Sequence, residues 1–250
     1  MELGLKDKVA LVTGAGSQVG FGKGIALALA KHGCDIIVND IDEEGLKKTA
    51  AEVKALGQRT LAIRADVTKQ KEVKEMVKKA LDEFGRIDIL VNNAGQATTP
   101  MPFVETPEEN WEKVFNLNVY GVFYCTKAVL PQMIERKNGK IINITSGAGM
   151  SGMPRCVHYG ASKAAIIAFT KGLAKEVIGH GINVNAVAPG VGDTGFLKPF
   201  PEGEIDRAVA TVPTKRSTTP EDVGNLIAYL ASDIARQVVG QTYLVDGGHA

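Results

Sequence analysis

Short apolar runs of strand-forming residues alternate along the chain with longer stretches whose apolar positions recur every three or four residues. The short runs are KVALVT (8–13), CDIIVN (34–39), TLAIRA (60–65), IDILVN (87–92), KIINIT (140–145), INVNAVA (182–188) and QTYLVD (241–246), and they predict seven strands. Helical patterns are predicted over 23–32, 42–56, 70–84, 111–136, 159–178 and 220–230. Ala50, Val53 and Ala55 supply small apolar positions in the second of these, and Val73, Val77, Ala80 and Leu81 give the third its 3–4 spacing. Pro107 can open a short helical turn with Thr106 as its cap, and Pro220 and Glu221 open the last helix.

The strand runs are apolar throughout rather than alternating, as expected when helices cover both faces of a sheet. Repeated strand–helix–strand units then imply a parallel, doubly wound Rossmann-type sheet in a three-layer α/β/α fold. No linker, repeat or low-complexity tract divides the chain, so residues 1–250 read as one domain. The rhythm breaks at a Pro/Gly-rich stretch, 189–203. The wider segment 190–213 reads as a substrate lid, against the plainer alternative of a surface excursion with hydrophobic anchors.

Composition narrows the classes. There are 29 basic and 28 acidic residues, a net charge of +1, which gives no reason to invoke nucleic acid or an anionic membrane. No run reaches the ~20 apolar residues needed to cross a bilayer. Cys34, Cys125 and Cys156 are odd in number and far apart, which suits a reducing cytoplasm rather than a disulfide framework. His32, His158, His180 and His249 have no metal-ligand spacing, so no metal is expected.

The first strand runs directly into TGAGSQVGFGKG (13–24). Glycines permit a tight turn and let phosphate oxygens reach backbone N–H groups, while the following helix offers unpaired N–H groups and a positive dipole end. Gly14, Gly20 and Gly22 are the main candidates for this contact, with Ser17, Gln18 and Phe21 beside them. Gly16 and Gly24 serve either the loop or close helix packing. Asp40 ends the second strand, with Ile41 next to it. A carboxylate there can accept hydrogen bonds from both hydroxyls of an adenosine ribose and would repel a 2′-phosphate, which favours NAD over NADP. Asp42 is the better candidate for a helix-start aspartate. Asp66, followed by Val67, can hold an adenine edge. Asn92, Asn93, Ala94 and Gly95 follow the fourth strand, where small residues and amides suit contact with a cofactor or, equally, with neighbouring strands.

Tyr159 and Lys163 are four apart at the start of a helix and share one face. A tyrosine is a poor base at neutral pH, and a nearby ammonium lowers its pKa. Such a pair can exchange a proton with an alcohol oxygen, whereas the plain alternative is an ordinary surface pair. Ser146, at the end of the fifth strand, can orient a substrate oxygen, and strand alternation sends its neighbour Thr145 to the other face. Asn118 lies inside the long helix, where a buried amide requires a partner. It can hold a water or a bend near Lys163, or be a satisfied core amide.

Over essentially its whole length the chain resembles the classical short-chain dehydrogenase/reductase family. The family's TGxxxGxG turn is resembled by Thr13, Gly14 and Gly20 to Gly22, its acidic selector by Asp40, its adenine-side aspartate by Asp66, and its NNAG by Asn92 to Gly95. Its catalytic asparagine, serine and YxxxK fall on Asn118, Ser146, Tyr159 and Lys163. Its PGxxxT falls on Pro189, Gly190 and Thr194, spanning Gly192, and VDGG on Val245 to Gly248. The resemblance implies that Pro189, Gly190 and Thr194 contact the nicotinamide. It also implies a proton relay from Tyr159 through the ribose and Lys163 to a water at Asn118, and a homotetramer or homodimer packed through the long helices. The glycine turn departs from the pattern, because three residues after Gly14 stands Gln18, not glycine. Gly20, Phe21 and Gly22 are the displaced GxG, so the turn carries two extra residues near 16–19.

The substrate pocket is expected between Ser146, Tyr159, the segment after Gly95 and the 189–213 excursion. Gln96, Met153 and Phe196, with Met150, Leu197 and Phe200, are candidate linings, and they suit a neutral secondary alcohol or ketone. The leading expectation is NAD-dependent interconversion of such a pair. Alternatives are a 3-oxoacyl-[acyl-carrier-protein] reductase or 3-hydroxyacyl thioester dehydrogenase, a sugar or polyol dehydrogenase, and a nucleotide-sensing protein without turnover.

Overall fold

The sheet runs in one direction throughout, and the computed structural model, described at residues 2–192, 194, 200 and 203–249, gives the strand order β3-β2-β1-β4-β5-β6-β7. The strands are β1 (Val9–Thr13), β2 (Asp35–Asp40), β3 (Thr60–Arg64), β4 (Ile89–Asn92), β5 (Gly139–Ile144), β6 (Ile182–Pro189) and β7 (Thr242–Val245). Each expected strand is present, with ends shifted by one or two residues. The helices are α1 (Phe21–Lys31), α2 (Glu43–Ala55), α3 (Gln70–Phe84), α4 (Glu108–Phe115), α5 (Gly121–Arg136), α6 (Ala148–Ser151), α7 (Val157–Val177), α8 (Glu204–Thr211) and α9 (Pro220–Ala231).

The absence of alternation in the strands now has its cause. Ala10 and Val12 face a core closed by α1, α2 and α9, while Val9 and Leu11 face another closed by α3, α5 and α7. Both faces are buried, so both sets of side chains are apolar. Helix α1 lies close on α9 because neither carries bulk at the crossing. A Cβ on Gly24 would stand 2.3 Å from the Pro220 Cβ, and one on Gly224 2.7 Å from the Ala28 Cβ. Gly24 is therefore a packing glycine. Asp42 caps α2 by accepting the Gly45 N–H at 3.0 Å, as its sequence position suggested. Thr219 and Asp222 form a reciprocal capping box at the start of α9.

Three local expectations are corrected. The helix over 111–136 is interrupted by a π-turn at Asn116–Tyr120, which separates α4 from α5. Thr106 does not cap; its hydroxyl donates to the Pro102 carbonyl, and a 3₁₀ turn, Phe103–Glu105, precedes it. The excursion after β6 contains α8, whose pattern is too short and too close to Pro and Gly to register as a helix.

The sheet interior carries a polar strut. Asn92 and Asn143 stand level on β4 and β5. The Asn92 amide donates to Asn143 Oδ1 at 2.8 Å and to Thr126 Oγ1 of α5 at 3.1 Å, and Asn143 donates to Thr170 Oγ1 of α7 at 2.9 Å. Asn92 thus has the structural role, binding the two central strands to the helices beneath them. Replacing Asn143 by alanine strands buried groups on both sides. Chemical unfolding is expected to show a loss of about 2 kcal/mol or more, with the fold retained.

Candidate active site

Strand β1 has β2 on one side and β4 on the other, so the connections leaving it diverge and a crevice opens at the carboxyl ends. That crevice widens into a cleft of about 1600 Å³. Its lining collects the residues picked out on the glycine turn, at Asp40, Asp66 and Asn93 to Gly95, at Ser146, Tyr159 and Lys163, and at Pro189, Gly190, Gly192 and Thr194. Gln96 and Met153 also line it. Asn118 stands behind the lining rather than in it. Phe196 and Leu197 lie outside the described residues.

The turn is built by backbone meeting backbone. Gly14 has φ +67°, and a Cβ there would lie 2.8 Å from the Ala94 Cα. A Cβ on Gly22, in the first turn of α1, would lie 2.1 Å from the Gly14 carbonyl oxygen. This supports Gly20–Phe21–Gly22 as the displaced GxG, with the extra residues before it. Asn93 locks the approach: its amide donates to the Thr13 and Gly14 carbonyls at 2.8 and 3.0 Å, while Thr13 Oγ1 accepts the Asn93 and Ala94 N–H groups. The Asn93 amide is thereby used in structure, although the residue borders the cleft.

At the tip of β2 the Asp40 carboxylate accepts three backbone N–H groups, from Gly16 at 2.8 Å, Ile41 at 2.7 Å and Asp42 at 3.1 Å. These fix its orientation and stabilise its charge beside the cleft. A glycine cradle at a helix N-terminus, with a fixed carboxylate at the end of the adjacent strand, fits the pyrophosphate and the unphosphorylated adenosine ribose of NAD. On the far side, Gly190 and Gly192 keep the floor open. A Cβ on the first would meet the Asp246 Cα at 2.6 Å, and on the second the Phe21 ring at 2.5 Å.

The reacting corner lies where β5 ends against α7. Tyr159 is 5 % exposed and bonded to Ser146. Burial pushes its phenol up to about 12, opposed by the bond to Ser146. Lys163, equally enclosed, donates to the Ile144 carbonyl at 3.0 Å and stands 5.8 Å from the Tyr159 ring centre. Burial pulls its ammonium down to about 8. The depression of the tyrosine pKa expected from a neighbouring ammonium is not found: desolvation sets the direction, and the opposing influence is the bond to Ser146. Thr145 turns to the other face, as alternation requires, and its hydroxyl bonds the Lys163 carbonyl at 2.9 Å, tying the strand end to the helix.

Asn118 sits in the π-turn and is fully buried. Its amide oxygen accepts the Gln96 N–H and its nitrogen donates to the Gln96 carbonyl, both at 2.9 Å. It also donates to Ser162 Oγ at 3.0 Å, which in turn bonds the Tyr159 carbonyl. A Cβ on Gly95 would be 3.2 Å from both Asn118 Oδ1 and Lys163 Nζ. The side chain of Asn118 thus pins the cleft wall to α7, the core-amide alternative, within reach of the lysine.

The substrate side is apolar. Tyr159 packs with Ala97, Val114 and Cys156, and Met153 and Phe200 lie against this group. Met150 is exposed on α6 and does not line the cleft. His158 is buried away from it, bonded to Thr98 Oγ1 at 2.8 Å. Residues without any sequence signal complete the mouth: Ile205 and Ala208 from α8, Lys113 from α4, and His249. Among the described residues no cluster of three metal-binding side chains occurs. No helix among them is long and apolar enough to cross a membrane.

The buried lysine has a consequence for stability. Its pKa is lower folded than unfolded, so its stabilising contribution is complete above the unfolded value near 10.5 and is lost as pH falls through about 8. At neutral pH the buried ammonium weakens the fold. A Lys163→Met chain is expected to be more stable than the parent at pH 7, by on the order of 1–3 kcal/mol. Urea unfolding across pH should show that advantage shrinking between about pH 8 and 10.5.

A family model described as enoyl-(acyl carrier protein) reductase matches residues 14–250. The chain is 41 % identical over 244 residues to the 3-oxoacyl-[acyl-carrier-protein] reductase FabG of Thermotoga maritima, covering 98 % of each chain. It is 39 % identical over 248 residues to the (2S)-[(R)-hydroxy(phenyl)methyl]succinyl-CoA dehydrogenase subunit BbsD of Thauera aromatica, covering 99 % of this chain and 98 % of that one. The crystal structure of 3-ketoacyl-(acyl-carrier-protein) reductase from Brucella melitensis complexed with NADH superposes with a TM-score of 0.91 at 34 % identity, over 98 % of this chain and 99 % of that one. With the glycine cradle, the fixed Asp40 and the buried Ser146–Tyr159–Lys163 corner, these likenesses establish the chain as a member of the short-chain dehydrogenase/reductase family, an NAD(H)-dependent oxidoreductase.

Proposed function

We propose that the protein interconverts a secondary alcohol and the corresponding ketone. The observation that carries this reading is the enclosed corner in which Tyr159 is bonded to Ser146 and stands over Lys163, beneath an apolar wall. NAD, when bound, would supply the two-electron chemistry as a hydride acceptor or donor. Gly14, Gly20, Gly22, Asp40 and Asp66 would hold its adenosine and pyrophosphate parts, and Pro189, Gly190 and Thr194 its nicotinamide end.

The chain's own residues manage the oxygen and its proton. Ser146 Oγ holds the substrate oxygen, and Tyr159 Oη takes its proton in oxidation and gives it back in reduction. The same corner excludes water, which strengthens both interactions. Lys163 stabilises the phenolate when Tyr159 is deprotonated. Asn118 keeps the Gln96 segment, and so the cleft wall, against α7.

Within that class a 3-hydroxyacyl thioester and its 3-oxo counterpart form the favoured substrate pair. Two similar chains carry names of this chemistry, one reducing a 3-oxoacyl group and the other oxidising a hydroxylated acyl-CoA. The cleft offers length beyond the reacting corner for an acyl chain, bordered by Met153, Phe200, Ile205 and Ala208. Helix α8, a described part of the expected 190–213 lid, borders that end through Ile205 and Ala208 and acts as its cover. A homotetramer, or a homodimer, would cover the exposed Tyr120 on the aromatic face it shares with Phe123 and Tyr124. An odd number of cysteines, far apart in the sequence, suits work in the cytoplasm.

A screen of NAD+ reduction across secondary alcohols, 3-hydroxyacyl thioesters and polyols tests the substrate class. Activity confined to polyols would discard the thioester reading. With the best substrate from that screen, Tyr159→Phe should leave NAD+ affinity largely intact and lower kcat by about 10²–10⁴-fold. Near-normal turnover would remove Tyr159 from proton transfer. Asp40→Ser should weaken NAD+ binding and relax discrimination against NADP+, and an unaltered preference would exclude Asp40 as the selector.

A further inference from the structure

The two extra residues of the glycine turn have a structural use. Ser17 to Gly20 close a tight turn, with the Gly20 N–H on the Ser17 carbonyl at 3.2 Å. This turn lays the Gln18 side chain on α2 at the border of the cleft. There its amide nitrogen reaches the Gly16 carbonyl at 2.9 Å, the Gly45 carbonyl at 3.0 Å and Thr49 Oγ1 at 3.2 Å. Its amide oxygen accepts Lys23 Nζ at 3.1 Å, and Lys23 pairs with Glu52 at 2.7 Å. Gly45, Thr49 and Glu52 are one face of α2, by helical spacing.

The fit on α2 is close. Position 45 tolerates no side chain, since a Cβ there would lie 2.1 Å from the Gly16 carbonyl oxygen. Thr49, wholly buried, donates to the Ala15 carbonyl at 2.8 Å. Ala15, Gly16 and Gln18 are therefore all bonded to α2 or to the side chain that reaches it, and Gly16 carries the N–H that holds Asp40 Oδ2 at 2.8 Å. A Cβ on Gly16 would sit 2.9 Å from that carboxyl carbon, so the turn and the carboxylate are in direct contact.

We infer that Gln18 is a positioning residue for cofactor choice: it latches the lengthened turn to α2 and so holds the Gly16 N–H on Asp40, fixing the carboxylate's aim at the adenosine ribose. Released from the latch, the turn can retreat, the carboxylate gains freedom to swing, and room opens where a 2′-phosphate would stand. This inference rests on Asp40 being the selector. It adds a residue whose amide acts through Gly16, α2 and Lys23.

The test compares the parent with Gln18→Leu, which keeps the volume and loses every polar bond, and with Thr49→Val, which removes the hydroxyl shared by Gln18 and Ala15. Calorimetric Kd values for NAD+ and NADP+ are measured on each, with circular dichroism to confirm folding. NAD+ binding should weaken about ten-fold while NADP+ binding holds or improves, so the preference falls by about the same factor. An unchanged preference in a folded variant, including an equal loss for both cofactors, overturns the latch. If Gln18→Leu does not fold, Thr49→Val decides between the two outcomes. Asp40→Ser run alongside separates the causes: a shift there without one in the latch variants rejects Gln18 alone, and no shift there rejects the selector and the latch together.

Discussion

Everything at the carboxyl edge of this sheet depends on three backbone segments being allowed to touch. The end of β1, the segment after β4 and the first turn of α1 meet at Gly14, Ala94 and Gly22, at distances no side chain would permit. Asn93 then supplies the hydrogen bonds that hold them there. With these segments pressed together, the first turn of α1 opens on the crevice where β1 and β4 diverge. A helix N-terminus favours an anion, and the strand ends on either side bring up Asp40 and Ser146. Bulk at either glycine would part the segments before any cofactor arrived.

The two halves of the site use opposite electrostatics. At Asp40 three backbone donors favour a charge near the surface. At Tyr159 and Lys163 enclosure disfavours charge on both partners. The first half is a fixed recognition element. The second is shifted in both directions by burial: the Tyr159 phenol keeps its proton to a higher pH than in solution, the Lys163 ammonium releases its proton at a lower one, and part of the protein's stability is given up to keep it so.

Much of this was legible in the sequence, for definable reasons. Inner parallel strands buried on both faces leave continuous apolar runs, so they stood out, and the part-exposed edge strands β3 and β7 followed from the same rhythm. Asp42 as a cap, Asp40 at a strand end and Tyr159 with Lys163 on one helix face follow from position and period. What stayed hidden depends on contacts distant in sequence. Gln18 looked like a turn residue beside the phosphates, and only the fold shows that its partners are 27 and 31 residues away on α2. Asn93 carried two readings that differ only in where its amide points. Met150 had the right chemistry for a lining residue but sits on a short helix that turns it outward. Helix α8 was unreadable because eight residues between Pro- and Gly-rich segments give little periodicity.

The π-turn at Asn116–Tyr120 acts as a phase shifter. One additional residue in a helical turn rotates everything beyond it by about 100° relative to an unbroken helix. Up to the start of the π-turn, Lys113, Asn116 and Leu117 border the cleft. After it, Cys125, Val129 and Met133 look into the core against α3 and the sheet. One continuous rod thereby serves two masters whose directions do not match, with Asn118 at the change of phase. Removing a single residue there would leave a perfectly regular helix that points one of its halves the wrong way.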